Sequence, residues 1–444
     1  VKAGSGNVTL RIAGAAGTVV ENFGVGSSVT INNNVITIDP TSDLTAGDTY
    51  YISYPSGAFT NISGDVSYVG TAYTFGSKPY TGKLFVWGVN NDGKLGQNNG
   101  VHYSSPTQVP GITWRSIAGS NTQSFNATKT DGTLWTWGEA SAGQLGQNTL
   151  QTVSSPLQIG SGTDWSENHY SSENNTQGAT KTDGTLWMWG KNDYGELGQN
   201  STNSPANNGL SSPVQIPGTT WSTTAGALDG GHMIACVKTD GTAWAWGRNT
   251  YGELGHNNRT HYSSPVQIPG TTWKQFSAGN YNSAGVKTDG TMWTWGFGTN
   301  GRLGHNQEGV NVSSPTQIPG TTWKQVTNAS DTMFAVRTDG TLWGWGDNQE
   351  GRLGVNDTVR RSSPTQVPGT TWAYVGTNIE KGTIASKTDG TLWSWGSSTY
   401  GQLGLNAFPG PKYSSPVQIP GTNWGTALSK FGVGDRHFAA LQVT

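Results

Sequence analysis

The sequence predicts an all-β chain: a seven-bladed β-propeller of four-stranded blades, closed by the C-terminal strand and preceded by a small β-sandwich. Three observations carry the prediction. A unit of about 50 residues recurs seven times from residue 81 onward. Each unit reads as four short strands joined by tight turns. The composition is that of a turn-rich β chain: 65 Gly and 20 Trp in 444 residues, with only 12% charged.

The repeat is read on its tryptophans. The segment Thr130-Asp-Gly-Thr-Leu-Trp-Thr-Trp-Gly138 heads six near-identical copies, and Thr81–Gly88 is a degenerate seventh. The last Trp of each element falls at Trp87, Trp137, Trp189, Trp246, Trp295, Trp345 and Trp395, at spacings of 50, 52, 57, 49, 50 and 50. A Gly-x-Leu-Gly-x-Asn run follows, then Ser-Ser-Pro (Ser-Pro at Pro106, Pro156, Pro213, Pro265, Pro315, Pro364 and Pro416), then a Pro-Gly-Thr-Thr-Trp-like turn. Every tryptophan is a repeat position, which favours blade-to-blade packing over carbohydrate stacking.

Within one unit, Trp273–Ser277 and Ala284–Thr288 read as the first two strands. Asp289-Gly290 is the two-residue turn of a hairpin. Met292–Trp295 is the third strand and Pro315–Ile318 the fourth. The last segment, Phe438–Thr444, resembles the strand before each Asp-Gly turn, and the first copy lacks that strand. It is therefore expected beside Leu84–Trp87, closing the ring and removing an open sheet edge.

Residues 1–78 contain no repeat. Alternating runs at Val8–Ile12, Val29–Ile31, Val35–Ile38, Tyr50–Tyr54 and Tyr73–Phe75 read as strands, with Asn32-Asn-Asn34 as a hairpin loop. The expected domains are 1–78 and 79–444, joined by the short link Ser77-Lys-Pro-Tyr80.

Other classes are disfavoured. The net charge is −2, and no cationic run exceeds Arg360-Arg361, so no nucleic-acid partner is expected. No run of about 20 apolar residues is present, so no membrane insertion is expected. Cys236 aligns with small residues in the other copies and reads as a packed side chain. His102, His169, His232, His256, His261, His305 and His437 form no metal-ligand spacing, and no nucleophile elbow or phosphate loop occurs. The expectation is a non-enzyme without metal or cofactor.

The loops divide into two sets. The Asp-Gly and Pro-Gly-Thr-Thr turns share one end and barely vary between copies. The opposite end carries loops that do vary, which points to binding there rather than drift. The candidate ligand-binding residues on that end are His102, Tyr103, Tyr170, His232, Arg259, His261, Tyr262, Tyr281, Asp331, Arg360, Arg361, Glu380, Lys412, Tyr413 and Arg436. Lys129, Lys181, Lys238, Lys287, Arg337 and Lys387, each two residues before an Asp, read as a solvated or ion-paired ring on the regular end.

The order Asp-Gly-Thr-Leu-Trp-x-Trp-Gly, Gly-x-Leu-Gly, Ser-Ser-Pro resembles the repeat of the regulator of chromosome condensation family over residues 81–444. The resemblance implies a seven-bladed propeller. The family includes a nucleotide-exchange factor for a small GTPase and a secreted β-lactamase inhibitor. This Trp-rich version is more similar to copies in bacterial surface and marine phage structural proteins. Ile38–Leu44 with Tyr54–Phe59 resembles bacterial Ig-like domains of surface and S-layer-type proteins, beginning one strand late, so that more chain is expected upstream. Together these resemblances imply an extracellular interaction module, on a virion or cell surface. The favoured version is a phage tail, fibre or decoration protein recognising a host surface. Its partners would be a host surface protein or glycan, or neighbouring virion or surface subunits, with oligomerisation through the Ig-like region or further chain. The alternatives are a bacterial adhesin and a secreted protein-binding or inhibitor propeller. An exchange factor or chromatin binder is argued against by the −2 charge and the lack of a basic tail.

Overall fold

A computed structural model describes the chain except residues 13–15, 33, 34, 42, 43, 45–48, 65, 69–72, 77–81, 173, 203–208, 330, 379, 380 and 444. The chain forms two compact units, Val1–Thr81 (with Thr444) and Gly82–Val443.

In the first unit, alternating apolar residues build a sheet of Val19–Gly24, Asn7–Ile12, Thr49–Ser53 and Tyr73–Gly76, in that order and antiparallel throughout. Val29–Asn32 pairs with Val35–Ile38, and Lys2–Ala3 pairs with Phe59–Thr60. Val8, Leu10, Phe23, Val25, Tyr50 and Phe59 form its core, as period-2 alternation dictates. The expected loop residues Asn33 and Asn34 and the link 77–80 lie outside the described residues.

The second unit is seven blades: six four-stranded antiparallel sheets, and a seventh whose four antiparallel strands gain a fifth, parallel one. Blade 1 comprises Trp114–Ala118, Ser124–Lys129, Leu134–Gly138 and Val153–Gln158, from the axis outward. Blades 2 to 6 repeat this order, their third strands ending at Gly190, Gly247, Gly296, Gly346 and Gly396. Blade 7 takes Phe431–Gly434 and His437–Val443 from the C-terminus, and Gly82–Gly88 and Tyr103–Gln108 from the start of the unit. His437 pairs with Gly88 and Val443 with Gly82, seven residues in register, so the ring closes as the sequence predicts. Ser120–Thr122 of blade 1 adds a parallel edge to Phe431–Gly434. The first strand of blade 3 begins at Leu228 and that of blade 7 at Phe431. There Trp221 and Trp424 keep only isolated bridges, to Lys238 and Gln442, because the chain loops out for several residues after each Trp.

The repeat residues lock each blade to the next. The last Trp of each Trp-x-Trp element is fully buried and donates its indole N–H to the carbonyl of the Gly-x-Leu-Gly x residue one blade back. Trp137 donates to Lys94 (2.9 Å), Trp246 to Glu196 (2.7 Å) and Trp345 to Arg302 (2.9 Å). Trp87 completes the circle on Gln402 (2.8 Å). The backbone must pass close to the indole here: a Cβ on Gly96, where φ is +65°, would lie 3.0 Å from Trp137 Nε1. The closing Asn of each run donates its backbone N–H to the first Ser of the next blade's Ser-Ser-Pro: Asn98 to Ser154 (2.7 Å), and Asn406 to Ser104 (2.8 Å) across the closure. Tryptophan thus packs blade on blade, and this packing is what the repeat encodes.

Candidate interaction face

Strand register decides which loops share an end. Ser124 pairs with Gly138 and Thr128 with Leu134, so the loop entering the second strand and the loop leaving the third lie together, opposite the Asp-Gly turn. These variable loops form one end of the propeller, the loop end.

On the regular end, the six cations are half-buried, and Lys181 pairs with Asp164. Each lies over two indoles of its blade. Lys129 Nζ is 4.7 Å from the Trp114 ring and 3.6 Å from Trp135, and Arg337 sits 4.3 and 4.4 Å from Trp323 and Trp343. The neighbouring Asp is occupied elsewhere. Asp131 Oδ1 accepts from the Thr133 backbone N–H (3.0 Å) and hydroxyl (2.6 Å), and that hydroxyl accepts the Trp135 N–H (2.7 Å). An indole face binds a cation at close range, and a hairpin Asp finds nearer donors in its own turn.

Two sectors divide the loop end. Across blades 2 to 4, Tyr194, Tyr251, Tyr281 and Phe297 form a half-buried aromatic cluster. Tyr251 lies 4.4 Å from Phe297 and 5.7 Å from Tyr281. Tyr194 meets His232 at 5.6 Å and His261 at 5.5 Å, both edge-on. The Arg248 guanidinium sits among them, 4.7 Å from the Tyr281 ring, 5.6 Å from Tyr251 and 5.7 Å from Tyr194. Beneath it lies Glu253 at 3.8 Å, fully buried, its carboxyl pushed up by that burial. Burial, and then Arg248, lower His232 to about 4, so it is neutral near pH 7.

Across blades 4 to 6 the sector is ionic. Arg302 binds Asp331, Arg352 binds Asp347 (3.5 Å), and Arg360 reaches Glu308 (3.8 Å) and Asp347 (3.9 Å). Arg361 pairs with Asp357 at 2.5 Å, and Lys412 pairs with Glu350. These charges are satisfied within the chain.

The sequence candidates therefore separate. His232 and Tyr281 join the aromatic cluster, and His261 lies at its exposed edge. Arg259 is exposed in the same loop. Asp331, Arg360, Arg361 and Lys412 belong to the ionic sector. Tyr103 and Tyr262 open fourth strands half-buried, their hydroxyls accepting from Asn99 and Asn258 at 3.2 Å, and Tyr413 opens the fourth strand of blade 6. His102 Nδ1 accepts the Asn90 backbone N–H at 2.9 Å, and Arg436 lies over Tyr400 at 4.6 Å. Glu380 lies outside the described residues. Tyr170 departs from the loop-end expectation. It is 3% exposed and lines an axial cavity of about 90 Å³, because it falls near the end of a first strand, where side chains turn to the axis. Tyr194, Arg248, Tyr251 and Phe297 were not among the candidates. They occupy the stretch between Trp-Gly and Gly-x-Leu-Gly, which also varies between copies and would have disclosed them.

The axis holds a Ser–His–Asn arrangement that no sequence motif announces. Ser116 Oγ is 2.5 Å from His169 Nε2, and His169 Nδ1 is 2.7 Å from Asn126 Oδ1. Ser116 is wholly buried and also bonds Thr128, so the set ties blade 1 to blade 2 and presents no accessible nucleophile. Cys236 is buried, and its thiol is pushed up by desolvation. Among the described residues no three His, Cys, Asp or Glu come together as a metal site, and no helix is long and apolar enough to cross a membrane.

A model described as the regulator of chromosome condensation (RCC1) repeat matches residues 81–125, 131–166, 183–225, 240–286, 289–336, 339–375 and 389–441. Human E3 ubiquitin-protein ligase HERC2 is 29% identical over 96 residues, which cover 22% of this chain and 2% of HERC2. Human RCC2 is 36% identical over 89 residues, 20% of this chain and 16% of RCC2. The chain thus aligns with only a small part of either relative. The crystal structure of yeast RCC1 (Prp20) bound to Kap60 superposes with a TM-score of 0.69 at 18% identity, covering 82% of this chain and 89% of Prp20. A second structure, of Prp20p from Saccharomyces cerevisiae, gives 0.68 at 17% identity over 81% and 91%.

These relatives are eukaryotic RCC1-type proteins, and they overturn the extracellular reading. The phage tail, fibre or decoration role falls, as do the adhesin and secreted-inhibitor alternatives. So do the host protein, glycan and virion-subunit partners, and the extracellular, virion or cell-surface location. The physical reason is that the regular Trp repeat serves blade packing, which fixes the fold and leaves function and compartment open. With seven repeat matches on seven blades, the chain belongs to the RCC1 repeat family.

Proposed function

We propose that the propeller is a non-enzymatic protein-interaction module whose partner docks on the aromatic sector of the loop end. The observation that carries this reading is the half-buried cluster of Tyr194, Tyr251, Tyr281 and Phe297 around Arg248. Tyr and Arg are the residue types that dominate protein interfaces. They stand here where the copies differ, on a rigid ring. The adjoining ionic sector has spent its charges internally and supports the loops.

The relatives bear on the class of partner. Yeast Prp20p is described by its binding to Gsp1p and histones, which are proteins. A net charge of −2 is compatible with a basic protein partner. In the same reading, residues 1–78 are a separate Ig-like domain ahead of the propeller, 79–444, supported by the four-stranded sheet and the hairpin that share one core.

The test is titration of the purified chain with Gsp1p and with histones, wild type against Tyr251→Ala/Tyr281→Ala. Binding of one of them, weakened about tenfold or more in the variant, is the expected result. If neither binds, or if the variant binds as wild type does, the assignment falls.

A further inference from the structure

The clefts between blades, on the Trp–Lys side of the ring, carry a second inference that is independent of the loop end. Between blades 2 and 3 lies a cleft of about 390 Å³, walled by Trp221, Trp244, Pro217 and Pro265. Lys238 projects into it, its ammonium 4.9 Å from the Trp221 ring and 4.2 Å from Trp244. The corresponding cleft between blades 1 and 2, of about 440 Å³, has Trp165, Trp187 and Lys181 in the same places.

The two clefts differ in the turn before the first Trp, which reads Gly160-Ser-Gly-Thr-Asp164 in blade 2 and Pro217-Gly-Thr-Thr220 in blade 3. Before the first Trp of blade 2 stands Asp164, whose carboxylate lies 3.2 Å from Lys181 Nζ. The same position holds Thr113, Thr220, Thr272, Thr322, Thr371 and Asn423 in the other blades. Blade 2 therefore shows what an indole-flanked ammonium accepts: a carboxylate, supplied by the chain itself.

The donors for such a carboxylate recur elsewhere. A Cβ placed on Gly270 would lie 3.2 Å from Lys287 Nζ and 3.7 Å from Trp273 Nε1, and one on Gly369 would lie 3.4 Å from Trp372 Nε1 and 3.8 Å from Lys387 Nζ. In blade 2 the same point, on Gly162, is 3.1 Å from Asp164 Oδ1, 3.5 Å from Trp165 Nε1 and 4.0 Å from Lys181 Nζ. The buried indole nitrogens of Trp221, Trp273 and Trp372 have no acceptor, nor does that of Trp165, where Asp164 bonds only the ammonium, whereas Trp114 donates to the Pro110 carbonyl at 3.1 Å. In blades 4 and 6 an ammonium and an indole N–H thus converge on a spot that in blade 2 holds a carboxylate against the ammonium.

We propose that the clefts of Lys238, Lys287 and Lys387 are repeated carboxylate-receiving sites that bind an extended acidic peptide. A charge-assisted bond to the ammonium anchors each acidic side chain. The Trp and Pro walls take the aliphatic part of the segment. Recurrence of the site around the ring favours a chain with several carboxylates over a lone anion, because later contacts are intramolecular.

The probe is a labelled oligoglutamate peptide, followed by fluorescence anisotropy at low salt, with oligoglutamine as control. Oligoglutamate is expected to bind and oligoglutamine not. Lys238→Gln/Lys287→Gln/Lys387→Gln should weaken binding by about tenfold or more. Thr220→Asp/Thr272→Asp/Thr371→Asp places a carboxylate of the chain's own in three clefts and should weaken it similarly. Asp suits Thr272 and Thr371, whose φ values are +65° and +67°. All three threonines are exposed, so this variant decides the matter even if the lysine variant does not fold. Unchanged affinity in the aspartate variant, or equal binding of oligoglutamine, overturns the proposal.

Discussion

Blade 7 keeps only one of the two halves of the repeat that the six continuous blades keep together. Blade 7 retains everything that faces its ring neighbours: Trp87 on Gln402, the Gly93–Asn98 run against Ser154, and Ser104 receiving Asn406. It has lost what belongs to the blade's own turn. The Asp-Gly-Thr turn is replaced by two chain segments, Trp135 by Phe85, and Lys129 by Gln442, which bridges to Trp424. No chain passes from Val443 to Gly82, so no hairpin turn is needed there. The Asp–Thr–Trp relay and the indole-held cation, which depend on that turn, go with it. The repeat is therefore two superimposed codes, one for docking blade on blade and one for turning within a blade. Only the first is indispensable to closure.

The sharpest way to break this comparison is to remove residues 437–444. Blade 7 then loses its second strand and the ring its closure, so the cooperative thermal transition of the propeller should disappear from calorimetry. A truncated chain that melts as the intact one does would show that closure is not what holds the ring.

A smaller effect concerns the seam. Glu167 of blade 2 bonds Lys430 (3.1 Å) and Ser429 (2.6 Å) of blade 7 and Arg115 (2.7 Å) of blade 1. Burial pushes its carboxyl up, but Lys430, Ser429 and Arg115 outweigh this and hold it at about 2, below its ordinary 4.5. A depressed carboxyl stabilises the fold above pH 4.5 and loses that contribution as pH falls towards 2. The shift corresponds to about 3 kcal/mol. Glu167→Gln should lower stability at pH 7 and flatten the acid limb of a denaturation series. An acid limb as steep as that of wild type would remove Glu167 from the seam.

The smallest effect tests the turn code. Lys287→Gln, which makes blade 4 resemble blade 7, should lose about 0.5–1 kcal/mol in urea unfolding. Gln442→Lys should gain a comparable amount by placing a cation near Phe85 and Trp424. If Gln442→Lys destabilises, the turn code does not transfer to blade 7.

Much of the fold was legible because one position in seven copies meets the same neighbour seven times. The Trp spacing, the blade count and the closing strand followed from that. The candidate site was legible only in part. Arg360 looks free along the chain, but its acidic partners, Glu308 and Asp347, come from loops brought close by folding, whereas Arg361 pairs with Asp357 four residues earlier in its own loop. Tyr170 looks like a loop residue, but strand alternation carries it to the axis. Sequence proximity reads the cations as solvated or paired with the nearby Asp, whereas the indoles they lie over come from different strands of the blade.

The amino-acid sequence by itself determined the number of blades, their strand order and the closure, since these depend on local periodicity and turn chemistry. Only the tertiary structure decided which loop residues meet. Tyr194, Arg248, Tyr281 and Phe297 lie on three blades, and their cluster exists because the ring sets those loops side by side. A repeat specifies what each copy does alike. A site assembled from the differences between copies requires the geometry that brings them together.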